Sequence, residues 1–147
     1  MGTNQQTCDA PPASAAGNRE LVRSICARWQ RGDFSALEWA DPAIEYVIAD
    51  GPSPGAWTGL DGMAEAFRGV LSAYAVYYVE AEELWELDQD RVLVLHRYSG
   101  RGRTSGLELG EIASQGADVF HITDGRVTRL VLYWKGDHAL SDLGLRP

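Results

Sequence analysis

Apolar residues along this chain recur first at helical spacing and later at alternating spacing. Between 18 and 32, Leu21, Val22, Ile25 and Trp29 fall three and four residues apart, so one face of a helix is expected to be buried. Asn18 suits its N-cap and Gly32 the residue just past its last turn. Asp33 can cap a short second helix through Phe34, Leu37 and Glu38. Asp41-Pro42 then ends it, because the residue before a proline avoids the helical region. Residues 43–49 alternate as a strand, 50–55 (DGPSPG) read as a loop, and 56–58 add a very short strand. A helix over 61–73 buries Met63, Phe67, Val70 and Leu71.

From there strand follows strand: 75–87, 91–100, 110–122 and 127–135, with a turn at 88–90 and a Gly- and Arg-rich loop at 100–109. Asp124-Gly125 is the strongest hairpin signal, since a type I′ turn needs positive φ at both central residues. Residues 136–144 predict a C-terminal helical turn. Helices first and an antiparallel meander afterwards predict an α+β fold. Its curved antiparallel sheet wraps around the N-terminal helices as a cone, leaving one internal pocket. Residues 1–17 are polar and aperiodic and read as a flexible tail, with 18–147 as one domain.

Composition narrows the partners. The formal charge is −8, which repels phosphate backbones and argues against nucleic acid. No apolar run has the length of a membrane span, and the first residues lack the charged-then-apolar order of a signal peptide, so a cytoplasmic location is expected. Cys8 and Cys26 have neither metal spacing nor a disulfide framework and are expected as free thiols. The three histidines show no zinc-site spacing, and no phosphate loop or nucleophile elbow is present. Neither a metal nor a cofactor is therefore expected.

Several segments together resemble the nuclear transport factor 2-like superfamily, and in particular its SnoaL-like branch. They are Arg31-Gly32-Asp33-Phe34, Trp57-Thr58-Gly59-Leu60-Asp61-Gly62, the run from Asp118 to Val127, and Val131-Leu132-Tyr133-Trp134. The resemblance covers about residues 18–143. It implies a cone with a small-molecule pocket, but the superfamily includes isomerases, cyclases, dehydratases, epoxide hydrolases and non-catalytic binders, so fold leaves function open. The resemblance places the isomerase base at Tyr46 and its helix tyrosine at Ile25, while the epoxide-hydrolase aspartate falls on Leu132. Those two chemistries therefore fit poorly.

Asp118 shares strand parity with Ile112, Phe120 and Ile122, hence with an apolar face. It reads either as a proton-shuttling acid or as a structural acid bonded to a neighbouring strand. His96 alternates with Arg97 and can lie across from Asp118, as a base held by a carboxylate or as a satisfied half-buried histidine. The expected catalytic set is Asp118 and His96, with Tyr46 or Tyr98 donating to a carbonyl. Trp39, Trp57, Phe67, Phe120 and Trp134 are expected as pocket walls or core, and Arg97 as a substrate contact or a solvated hairpin end. Trp85, Val131 and Tyr133 are expected on the outer sheet face, where exposed aromatics would favour a homodimer. The function so implied is a cofactor-independent lyase, isomerase or cyclase acting on a small apolar or aromatic molecule; the alternative is a non-catalytic ligand-binding or dimerisation domain.

Overall fold

The computed structural model describes residues 15–35, 37–51, 54–72, 74–102 and 112–145. They form three helices and six strands, in the order α1 (Ala15–Gln30), β1 (Ala40–Ile48), β2 (Gly55–Thr58), α2 (Gly59–Ser72), β3 (Tyr74–Glu86), β4 (Arg91–Gly102), β5 (Ile112–Thr123), β6 (Arg126–Tyr133) and α3 (Gly136–Asp142). One sheet in the order β2-β1-β6-β5-β4-β3 holds all six strands. The α+β expectation is met, with one topological correction. β1 runs parallel to β6, although every other neighbouring pair is antiparallel. A parallel pair needs a long crossover, here the whole chain between β1 and β6.

Helix α1 begins at Ala15, three residues before the expected cap. Asn18 therefore lies inside the helix, where its buried side chain donates to the Gln89 carbonyl at 2.6 Å. That bond ties α1 to the β3–β4 turn. The remainder of the expected tail lies outside the described residues, as do 103–109 of the expected 100–109 loop, while its first three positions belong to β4, which continues to Gly102.

The short second helix is absent among the described residues after Gly32. Asp33 accepts from both the backbone N–H and the hydroxyl of Ser35 instead, closing a local turn that competes with helix formation. Asp41-Pro42 breaks no helix and sits within β1. There the Asp41 carboxylate accepts from the Ala43 N–H, and the pairing with β6 slips between Ala40 and Glu45. Proline fits because β2 pairs only with Glu45–Ile48, leaving one side of the earlier stretch open. At the β5–β6 hairpin, Asp124 and Gly125 have φ of 51° and 77°, as the sequence predicts.

The sheet has two apolar faces. Its concave face packs on α1 and α2 through Ile44, Tyr46, Val92, Val94, Phe120, Leu130 and Leu132, with Trp29 as the hub of four ring contacts. The convex face carries Leu93, Leu95, Val119, Val131 and Tyr133 around Ala139 of α3. Val131 and Tyr133 are thus buried, contrary to the expected exposed aromatic face, and the Tyr133 hydroxyl donates to Asp142 of α3 at 3.0 Å. Burial and that carboxylate push the Tyr133 phenol up to about 12. The observation that was to favour a sheet-to-sheet dimer is therefore not met.

Candidate active site on the concave face

Strand register arranges the inward side chains in rows across the sheet. Tyr46, Leu130, Phe120 and Val92 form one row; Ile48, Leu132, Asp118, Val94 and Leu84 form the next. Beyond them Gly116 stands opposite His96, which in turn faces Ala81. Asp118 and His96 are therefore diagonal neighbours on adjacent strands, and alternation turns both inward.

His96 Nδ1 lies 3.0 Å from Asp118 Oδ2, with only 3% and 7% of the two side chains exposed. The approach is an electrostatic contact without hydrogen-bond alignment: Nδ1 and Nε2 are both buried and neither has a hydrogen-bond partner among the described residues. An orphaned buried polar atom costs about 1–3 kcal/mol. Buried polar atoms of this kind are ordinarily satisfied by a bound water or ligand group.

Cys26 of α1 is buried close enough to Asp118 to feel its charge. Burial raises its thiol to about 12, and the nearby Asp118 charge adds to the effect. Cys26 is expected from sequence only as a free thiol, and Gly116 is a site residue that no sequence motif marks. A methyl at Gly116 would sit 2.7 Å from His96 Nε2 and 3.2 Å from Tyr98 Cε1, so glycine makes room for both rings. A glycine inside an otherwise regular strand was the available signal.

The other expected site residues divide. The Tyr98 hydroxyl donates to the Trp134 carbonyl at 3.0 Å, and the two rings meet edge-on at 5.0 Å. Tyr98 also lies near His96, with ring centroids 6.0 Å apart. Tyr46 stands one row away from Asp118, within an aromatic cluster that includes Trp57 and Phe67. Trp39 and Phe120 both pack on Trp29 in the core. Arg97 points to the opposite face of β4, exposed, and pairs with Glu82 at 3.1 Å. The structure therefore brings together Asp118, His96, Tyr98 and Trp134, and separates Tyr46 and Arg97 from them.

Two clefts open beside this core. One, of about 640 Å³, lies between α1 and the bulged part of β3, against Cys26, Ala27, Ala81 and Leu84. The other, of about 450 Å³, lies at the α1 exit against Phe34, Leu37 and Phe67. Asp118 and His96 line neither, but Ala81 and Leu84 of the first cleft pair with His96 and Val94, so His96 lies one strand along the sheet from the cleft wall and Asp118 two. Among the described residues no three His, Cys, Asp or Glu side chains are grouped to hold a metal, and no helix is long and apolar enough to cross a membrane.

Comparison with known proteins agrees with this fold. The family model described as a SnoaL-like domain matches residues 22–130. Among solved structures, TerC co-crystallised with polyporic acid superposes with a TM-score of 0.68 at 21% identity, covering 86% of this chain and 96% of that one. An NTF2-like protein of unknown function from Burkholderia pseudomallei gives 0.70 at 19%, covering 84% and 95%. A putative polyketide cyclase from Xanthomonas campestris gives 0.63 at 19%, covering 86% and 98%. Identities this low establish the shared fold alone. No curated protein matches the chain at significance.

Proposed function

This chain belongs to the SnoaL-like domain family of the nuclear transport factor 2-like superfamily, and from that premise we propose that it binds a small, largely apolar molecule and moves a proton on it with His96 and Asp118. The reaction class is a cofactor-independent isomerisation, cyclisation or dehydration. One observation carries the reading: a histidine and a carboxylate 3.0 Å apart, both almost fully buried, with the far imidazole nitrogen unpartnered.

The chemistry follows from that arrangement. A small swing of either side chain aligns Nδ1–H with the Asp118 carboxylate, which fixes the tautomer and leaves the Nε2 lone pair free. Nε2 then takes a proton from a carbon next to a carbonyl, and the imidazolium beside Asp118 returns it elsewhere on the same molecule. The apolar surroundings exclude water from the transfer. That one fold relative was crystallised with polyporic acid and another is a putative polyketide cyclase supports a small-molecule role for this scaffold.

The test is deuterium uptake from heavy water at the carbons flanking the carbonyl of small cyclic ketones such as 2-tetralone, followed by NMR. Wild type should exceed buffer, and His96→Gln and Asp118→Asn should each lose about 100-fold, the usual contribution of a positioned acid or base. Exchange that survives both substitutions would overturn the reading. A second reading, a non-catalytic binding domain, is favoured by the dyad lining neither cleft. It predicts that the ketones bind wild type and Asp118→Asn alike, with no exchange in either.

A further inference from the structure

We infer that the cleft between α1 and β3 is a carboxylate site, taking a small organic acid by its charged end and leading its apolar body toward the dyad. Arg19, Arg23, Cys26 and Ala27 lie at helical spacing along one stripe of α1, and all four line the cleft. Arg31 joins them at the helix exit. This concentration of positive charge stands out on a chain whose net charge is −8.

The three guanidinium groups are not used elsewhere among the described residues. Arg28 on the same helix is paired with Glu38, whereas Arg19, Arg23 and Arg31 have no carboxylate within ion-pair distance. Arg19 Nε is buried without any hydrogen-bond partner. The acids at the cleft form no ion pair with them. Glu82 is held by Arg97 at 3.1 Å and Gln115 at 3.2 Å, and Glu83 accepts from the Trp85 indole at 3.1 Å.

A planar guanidinium fork matches a carboxylate with two parallel bonds, which explains why arginine rather than lysine suits such a mouth. Buried Cys26 and half-buried Ala81 and Leu84 supply the cleft's apolar wall, with exposed Ala27 at its edge, and about 640 Å³ is ample for a one- or two-ring molecule. Ala81 is the strand partner of His96, so the wall lies laterally beside the dyad on the same face of the sheet. This substrate class rests on the small-molecule reading above, but its test requires no turnover.

The probe is 2-naphthoate, with 2-naphthamide as its uncharged counterpart, titrated by calorimetry and by amide chemical shifts. Naphthoate should bind, shift Ala27, Ala81 and Leu84, and exceed naphthamide in affinity by about tenfold or more. Arg19→Gln/Arg23→Gln should remove that preference. Arg23→Gln/Arg31→Gln, confined to exposed positions, should reduce it while leaving the unfolding temperature unchanged. Equal binding of the two probes, no binding of naphthoate, or full affinity in both double variants would overturn the site. Displacement by inorganic phosphate alone at equal concentration would mark a simple anion patch and overturn the organic-acid assignment. None of these results bears on the exchange assay, so cleft and dyad fail separately.

Discussion

Replacing Gly116 with alanine tests whether the dyad's geometry depends on a missing side chain. The added methyl carbon meets His96 Nε2 at 2.7 Å, the Tyr133 carbonyl oxygen at 2.8 Å and Tyr98 Cε1 at 3.2 Å. Comfortable contacts are about 3.5–4.0 Å, so all three neighbours are pressed. The carbonyl belongs to the paired β5–β6 backbone and cannot retreat cheaply. The His96 ring has to swing, and its Nδ1 moves off Asp118. Overpacking of this kind costs about 1–3 kcal/mol. At about 3 °C per kcal/mol for a chain of this length, the unfolding temperature should fall by about 3–9 °C. Thermal and urea unfolding measure the cost, and the His96 ring-nitrogen signals report its displacement. In a His96→Ala background one of the three clashes is gone, so the same substitution should cost less there, with a coupling of about 0.5–3 kcal/mol. A Gly116→Ala protein within about 0.5 kcal/mol of wild type, with unshifted His96 signals, would refute the packing argument.

Two further outcomes follow from titration. With its thiol pushed to about 12, Cys26 is about a thousandfold less ionised at pH 8 than a thiol at the ordinary 9.0, so alkylation read at its own peptide should be slower than in urea-unfolded chain by at least that factor; equal rates would contradict its burial beside Asp118. His121 is held below the ordinary histidine value by burial, then by the Arg129 and Arg91 guanidiniums. Its unfolded form therefore takes up a proton first as pH falls below 6.5, and stability should drop across that window, flattening once the folded form protonates too. The lowered carboxyls Glu82 and Asp88, each held down by hydrogen bonds, act only below about 4.5, so His121→Gln should flatten the upper window alone. An unchanged profile in that variant would sink the assignment.

Much of this fold is written in periodicity, because alternation and helical spacing record which face is buried. The positions of β3 to β6, the I′ turn at Asp124-Gly125 and the inward parity of Asp118 and His96 could all be read that way. What periodicity cannot carry is pairing between distant segments. The parallel β1–β6 pair joins residues about 85 apart, and nothing local at Tyr46 or Leu130 encodes the match. The departures from helical expectation at Asp33 and Asp41 have a separate, local cause: each carboxylate accepts from the backbone N–H two residues on, in competition with helix formation.

The site divides along the same line. Parity alone could put His96 and Asp118 on one face, but their separation depends on register, and the room for the imidazole depends on Gly116, whose contribution is the absence of atoms. Of the two expectations for Arg97 the solvated one fits, because it follows His96 in the strand and so points to the opposite face, where its charge is spent on Glu82. The unspent arginines lie instead on α1, at the four-residue spacing that keeps Arg19 and Arg23 on the side of the helix turned toward β3. A helix stripe with Arg19 and Arg23 toward one end, Arg31 at the other and Cys26 and Ala27 between them, laid against a bulged strand, sets charged groups around a small apolar centre, which is the arrangement the proposed carboxylate site requires.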